Sequence, residues 1–330
     1  MKNIGLVGLG FIGKMHLKAY HSIENCQVTA ICTRSEVGDE GITDLFHGNF
    51  VSEYDELLHS EGIDIIDICL PTYLHEEYII KAARAKKHII CEKPLTLSLE
   101  SAKRIFKEVQ ENGVRLFVGH VLRFWPEYKL IKAYSESDQL KDIEIVHAQR
   151  LGQAPAWSDW FKHPEKSGGA LFDLHIHDID FVTYLLGEAE AVYAVGTKNK
   201  HGAWDHLMTT LSFKNSKKAF VEASHRMPNG YPFTMSFRAQ AVQGTLEYHV
   251  AAGENIEQID NQQFVYYNNK TKSSIDMADG DAFYNELSYF VHCIEMNQEN
   301  NIIPLEDVFY TLKLLKAIEA SLETGEKIWI

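Results

Sequence analysis

Three places in the 330-residue chain combine residue types that can move protons or hold anions. The densest is Gly168-Gly169-Ala170-Leu171-Phe172-Asp173-Leu174-His175-Ile176-His177-Asp178-Ile179-Asp180-Phe181, which sets two His and three Asp into an apolar run. Leu171, Leu174, Ile179, Val182 and Leu186 recur with helical spacing, which predicts one helix with an apolar face. On such a helix Asp173 and His177, four residues apart, share a side. A carboxylate one turn below an imidazole can orient the ring and support its cation, so the pair reads as a proton-transfer unit. H-x-H-D could suggest a metal site, but residues two apart on a helix face different sides, so His175 and His177 cannot aim at one ion. His175 is therefore read as a structural or supporting histidine. Asp178 and Asp180 are read as making helix or cofactor-side contacts, and no metal is expected.

The second place is Gly8-Leu9-Gly10-Phe11-Ile12-Gly13, preceded by the apolar run Ile4–Val7 and followed by a helical pattern to about Tyr20. Strand, glycine turn and helix is the context in which GxGxxG binds a dinucleotide. The first glycine makes the turn, the second admits the pyrophosphate, and the third lets helix and strand pack closely. The anion would sit on the free N–H groups of the helix start. After the next strand, Gln27–Cys32, NAD-specific sites place an acid on the ribose. This chain has Thr33-Arg34-Ser35, and an Arg there favours the 2′-phosphate of NADP. Glu36, Asp39 and Glu40 lie in the following loop, and an acid from it reaching the ribose instead could reverse that preference. The third place is Glu92-Lys93-Pro94 behind the strand His88–Cys91. The proline holds Lys93 extended. An amine there could hydrogen-bond a reacting hydroxyl and stabilise alkoxide charge. By composition alone, a surface lysine paired with Glu92 is as good a reading.

The elements that must position these groups alternate strand and helix up to Val118, which predicts a doubly wound parallel sheet with right-handed crossovers. Gly8, Thr33, Pro71, Glu92 and His120 fall just after strand ends, where such sheets bind ligands. Beyond Gly119 the pattern changes, so a boundary is placed there: residues 1–120 as a dinucleotide-binding domain and 121–330 as a substrate-binding and oligomerisation domain. The stretch Leu151–Lys166, with Trp157 and Trp160, reads as a loop over the site whose aromatics either stack on a sugar or anchor the loop. Arg123, Trp157, Trp160 and His225 are candidate pocket residues. From Val192 to Tyr267 the period shifts to two, predicting a large, mainly antiparallel open sheet with one face for helices and one for a partner subunit. Two helices, Asp281–Asn297 and Leu305–Glu323, close the chain. The fold class is thus α/β plus an α+β second domain.

The formal charge of -14 disfavours nucleic-acid binding, since an acidic surface repels phosphate backbones. No apolar window is long enough to span a bilayer. A strand-like run begins almost at Met1, so a cytoplasmic location is expected. The five cysteines form no CxxC pair and read as small buried hydrophobes, with a catalytic thiol as the lesser alternative.

With Gly8-x-Gly10-x-x-Gly13, Glu92-Lys93-Pro94 and Asp173-x-x-x-His177 in this order, the chain resembles the Gfo/Idh/MocA family of oxidoreductases, which includes glucose–fructose oxidoreductase and inositol 2-dehydrogenase. The resemblance covers essentially the whole length. It implies a Rossmann domain, NAD or NADP as cofactor, and a sugar or cyclic polyol as substrate. It also implies dimers or tetramers through the open sheet. It assigns Lys93 to the reacting hydroxyl, Asp173 and His177 to the acid–histidine pair, and Pro71, Thr72 and His75 to the nicotinamide-side turn. The alternatives are a dinucleotide-dependent sugar sensor without catalysis, and a sugar enzyme with tightly held NAD that is oxidised and reduced within one turnover.

Overall fold

A computed structural model of the chain describes residues 1–34, 40–155, 159–253, 259–277 and 279–330. In chain order the main elements of the first half are β1 (Lys2–Val7), α1 (Phe11–His21), β2 (Cys26–Cys32), α2 (Glu40–Leu45), β3 (Asn49–Val51), α3 (Tyr54–His59), β4 (Ile65–Ile68), α4 (His75–Arg84), β5 (His88–Glu92), α5 (Leu99–Asn112), β6 (Leu116–Gly119) and α6 (Pro126–Glu136). There follow β7 (Ile145–Leu151), α7 (Pro164–Ser167), α8 (Gly169–Asp173), α9 (His175–Leu186), β8 (Ala189–Lys198), β9 (Trp204–Phe213), β10 (Lys218–Ser224), β11 (Phe233–Gln240) and β12 (Gly244–Ala252). The chain closes with β13 (Ile259–Asn268), β14 (Lys272–Ser274), α10 (Ala282–Glu295), α11 (Leu305–Thr324) and β15 (Ile328–Trp329).

The chain forms two compact units, Met1–Trp125 with Gly280–Phe309, and Pro126–Asp279 with Tyr310–Ile330. The boundary thus falls five residues beyond the expected one. More importantly, α10 belongs with the first unit. The reason is packing: Phe290 of α10 sits 5.0 Å from Phe117 of β6 and 5.7 Å from Phe124, centroid to centroid.

The sheet of the first unit runs β3-β2-β1-β4-β5-β6, with all neighbours parallel. Its central strands are buried on both faces, with Ile4 and Leu6 in β1 and Ile65, Ile66 and Ile68 in β4, the last strand also burying Asp67. The strand order reverses between β1 and β4, which makes their carboxyl ends the switch point where such sheets take ligands. Helix α5 has the expected ends: Ser98 Oγ accepts from the Ser101 N–H at 3.3 Å, and Gly113 closes it at φ +65°.

The second unit holds a nine-stranded sheet, β14-β13-β12-β11-β7-β10-β9-β8-β15, antiparallel except for β7 with β10. One face is covered. Tyr128 of α6, Phe181 of α9 and Phe237 of β11 pack edge to face, with ring centroids 4.7 to 5.9 Å apart. Such pairs add about 0.5–1.5 kcal/mol each beyond area burial. They pin α9 to the sheet. The other face leaves Tyr193, Val195, Met208 and Phe220 between 42% and 50% exposed.

The predicted single helix through residues 171–186 is in fact two. Helix α8 ends at Asp173, α9 starts at His175, and Leu174 between them has φ -94° and ψ -49°. The His177 N–H bonds to the Leu174 carbonyl three residues back, at 3.3 Å, so the i to i−4 ladder is interrupted there. The apolar period runs across the break, which is why periodicity alone does not reveal it. The stretch expected as a plain loop over 151–166 contains a 3-10 turn, Asp159–Lys162, and the start of α7.

Candidate active site and dinucleotide cradle

Among residues 169–183 every side chain is buried except Asp173 and His177. Their neighbours are tied down. Arg150 of β7 grips Asp178 with two parallel hydrogen bonds, Nε to Oδ2 at 2.9 Å and Nη2 to Oδ1 at 3.2 Å, and both groups are buried. Asp180 Oδ1 accepts from Thr311 Oγ1 at 3.2 Å. The His175 Nε2 lies 2.9 Å from Thr209 Oγ1, and burial pushes its pKa down to about 3, so the ring is neutral. The scaffold therefore spends its polar residues inside and presents two to solvent.

Asp173 has a partner that spacing did not suggest. Its Oδ2 lies 3.1 Å from Nε2 of His225, a buried residue just past β10. The His225 N–H donates to the Asp205 carbonyl at 2.8 Å, which fixes the backbone from which the ring projects. Because α8 and α9 are separate, Asp173 and His177 are not placed by the register of one helix. His225 stands among the pocket candidates read from the sequence, but no short-range pattern ties it to Asp173, 52 positions upstream.

In the first unit, Gly8 turns at φ +93°, and a Cβ there would come 2.5 Å from the Cys69 carbonyl oxygen at the end of the β4 segment. A Cβ on Gly13 would come 2.1 Å from the Gly8 carbonyl oxygen. A Cβ on Gly10 would meet nothing within 4 Å. The first and third glycines thus serve close packing. The second opens onto free space at the start of α1, which no side chain caps. Phe11, Ile12 and Gly13 supply the first-turn N–H groups. This fits a pyrophosphate. Thr33 donates its N–H to the Val51 carbonyl at 3.1 Å, and Arg34 is exposed. Ser35, Glu36 and Asp39 lie outside the described residues, as does the side chain of Glu40.

Pro71 leads into the 3-10 turn Thr72–Leu74, with Thr72 buried. His75 is fully buried, its Nδ1 2.9 Å from the Pro94 carbonyl and its Nε2 2.8 Å from the Leu70 carbonyl. Burial lowers its pKa, so the neutral ring donates its single N–H to one of these carbonyls and packs its other nitrogen against the second; neither nitrogen is open to a cofactor. From Ile89 to Thr96 the only residue that is not buried is Lys93, and the Lys93–Pro94 bond is cis. The Glu92 carboxylate is also turned inward. Oε1 lies 3.2 Å from His16 Nε2, and Oε2 accepts the Lys93 N–H at 3.2 Å. Burial would raise the Glu92 pKa, but His16 and Lys93 overcome it and hold it below the ordinary carboxylate range.

The pocket candidates divide. Arg123 is 4% exposed, and its Nη1 donates at 2.6 Å to both the Ile302 carbonyl and Asp307 Oδ2. It is an internal tie of the first unit, which corrects its reading as a substrate contact. Trp160 is half-buried and stacked on Phe161, ring centroids 4.1 Å apart. Trp157 lies outside the described residues. The cysteines are free, and burial pushes the Cys69 thiol up to about 12, which removes its nucleophilic form.

A parallel sheet with a glycine turn at its switch point, followed by a unit built on an open, mainly antiparallel sheet, is a dinucleotide-binding architecture. Residues 2–120 match the oxidoreductase family with an NAD-binding Rossmann fold, and residues 128–247 match the GFO/IDH/MocA C-terminal domain. The chain belongs to the Gfo/Idh/MocA family. It is 30% identical to a myo-inositol 2-dehydrogenase of Thermotoga maritima over 69% of this chain and 70% of that one. It is 32% identical to a 2,7-anhydro-N-acetylneuraminate hydratase of Escherichia coli, over 67% of this chain and 61% of that one. Among solved structures, a probable dehydrogenase from Thermotoga maritima superposes with a TM-score of 0.83 at 25% identity, covering 99% of this chain and 98% of that one.

Proposed function

We propose that the protein is an NAD(P)-dependent dehydrogenase that moves a hydride between nicotinamide and a secondary alcohol of a sugar or cyclic polyol, with inositols as the nearest substrate class. One observation carries this reading. Lys93, Asp173 and His177 are each the accessible points of segments that are otherwise buried. Within residues 89–96 and 169–183 the lysine, the acid and the histidine alone stay partly accessible, as suits groups that must meet a ligand. The dinucleotide supplies the hydride acceptor when bound. In the oxidative direction Lys93 donates a hydrogen bond to the reacting oxygen and stabilises its developing negative charge. His177 takes the hydroxyl proton. Asp173, shared with His225, supports the cation that His177 becomes. The first unit holds the dinucleotide and the second recognises the substrate. Arg34 supports NADP over NAD.

A panel of inositols and sugars with NAD and NADP separately, followed by nicotinamide absorbance, tests the reading. Replacing Lys93 by Met should abolish turnover while leaving dinucleotide binding nearly intact. Unimpaired turnover in that variant refutes the assignment. The similarity to a hydratase favours one second reading, a sugar enzyme whose tightly held NAD cycles within each turnover. It would convert substrate without net absorbance change and purify with its nucleotide attached.

A further inference from the structure

We propose that His16 is a positioning residue for the lysine turn, clamped between Asp67 and Glu92 so that the dinucleotide helix and the strand leading to Lys93 are held in one register. The inference rests on the reading of Lys93 as the group at the reacting oxygen. His16 sits on the second turn of α1, three residues beyond the last glycine of the cradle, and is 1% exposed. Its Nδ1 lies 2.8 Å from Asp67 Oδ2 in the middle of the sheet, and its Nε2 3.2 Å from Glu92 Oε1 at the end of β5. Ionised carboxylates only accept hydrogen bonds, and a neutral imidazole has one N–H. Serving both acids therefore requires the imidazolium. Burial works against that cation and the Asp67 carboxylate beside Nδ1 favours it, while the Cys69 thiol, itself pushed up to about 12, adds no charge.

The clamp has no slack. The other Glu92 oxygen receives the Lys93 N–H. A Cβ on Gly119 would stand 2.8 Å from Glu92 Oε1 and 3.6 Å from Glu286 Oε2. The carboxylate thus fills a slot that only glycine leaves open. Around the ring stand Asp67 and Cys69 from the β4 segment, Glu92 from β5, Tyr20 from α1 itself, and Phe283 from α10 at 5.5 Å between centroids. The chain from glycine turn to helix, imidazolium, Glu92 and Lys93 backbone is continuous within the first unit.

Three measurements test it. In wild-type protein labelled with 15N-histidine, one imidazole should keep both ring nitrogens protonated at about pH 8, above the ordinary histidine value of ~6.5. That signal should vanish in His16→Gln. Absence of any cationic ring in the wild type overturns the proposal. So does stoichiometric zinc in the purified protein, since an ion on His16, Asp67 and Cys69, whose donor atoms lie within 4.8 Å of one another, would replace the proton. In the second measurement, His16→Gln should change NADH affinity by less than about tenfold while lowering turnover of the best panel substrate by about 100-fold, the effect of an ångström of misplacement. The double variant with Glu92→Gln should be no slower than the slower single, because both break one link. Wild-type turnover in His16→Gln, equal losses of NADH affinity and turnover, or additive effects in the double variant overturn the clamp. Should His16→Gln fail to fold, Glu92→Gln breaks the same link from its far end and must show the turnover loss. Lys93→Met measured alongside separates the two ideas. A fully active Lys93→Met refutes the catalytic reading, whereas an inactive one beside a harmless His16→Gln refutes the clamp alone.

Discussion

At the scale of single residues, the structure separates histidines that are chemically alike in the sequence. His16 is read as cationic between two acids, His75 braces two turns through backbone carbonyls, and His177 keeps a solvent-accessible side. His175 is neutral and fully enclosed. The last has a measurable consequence. Its folded pKa, about 3, lies below the unfolded value near ~6.5. Between those values the unfolded chain binds a proton that the folded chain does not, so stability falls as pH drops through that window. The slope from this one residue is about 1.4 kcal/mol per pH unit. Urea midpoints across that window should show it in the wild type, and a folded His175→Asn variant should show a shallower dependence. An unchanged slope would mean that the ring is not held neutral. Arg123 shows the limit of residue-level reading. An arginine near aromatics suggests a pocket, but its acceptor, Asp307, lies 184 positions away, and no local pattern points there.

At the scale of elements, much of the architecture was legible. Glycine punctuation and strand–helix alternation placed β1, α1 and β2, and Ser98 and Gly113 marked both ends of α5. These signals are local and rest on backbone geometry, so they survive without tertiary context. The division of α8 from α9 was not legible, because Leu171, Leu174 and Ile179 keep helical spacing through the interruption. Nor was the assignment of α10, since it depends on Phe117 and Phe290 meeting across 173 positions. The buried Arg150–Asp178 pair ties α9 to β7. Removing one member strands the other charge in the interior. Asp178→Ala should therefore cost about 3–5 kcal/mol, read as a lowered denaturation midpoint. A change under ~1 kcal/mol would show that the pair does not anchor the helix.

At the scale of the whole molecule, the open face of the large sheet carries Tyr193, Val195, Met208 and Phe220 in adjacent strands. Register pairs Val195 with Met208 and aligns Tyr193 with Thr210 and Phe220. A second copy of the chain is the proposed cover. Met208→Glu should shift the protein to monomer in light scattering, and an unchanged mass would remove this face from consideration. The two rims of that sheet differ in a way that bears on handling the protein. One ends in β14, three exposed residues that include a lysine, which discourages further strands from adding. The other would end in β8, ten residues with alternating apolar side chains. There Ile328 and Trp329 pair with Val192 and Ala191, and the Ile330 N–H donates to Glu190. Two residues of strand thus act as a selvedge that closes the Glu190–Val192 stretch of that rim to strands of other molecules. Deleting residues 327–330 should leave the dinucleotide unit intact yet raise the tendency to form β-rich aggregates on storage.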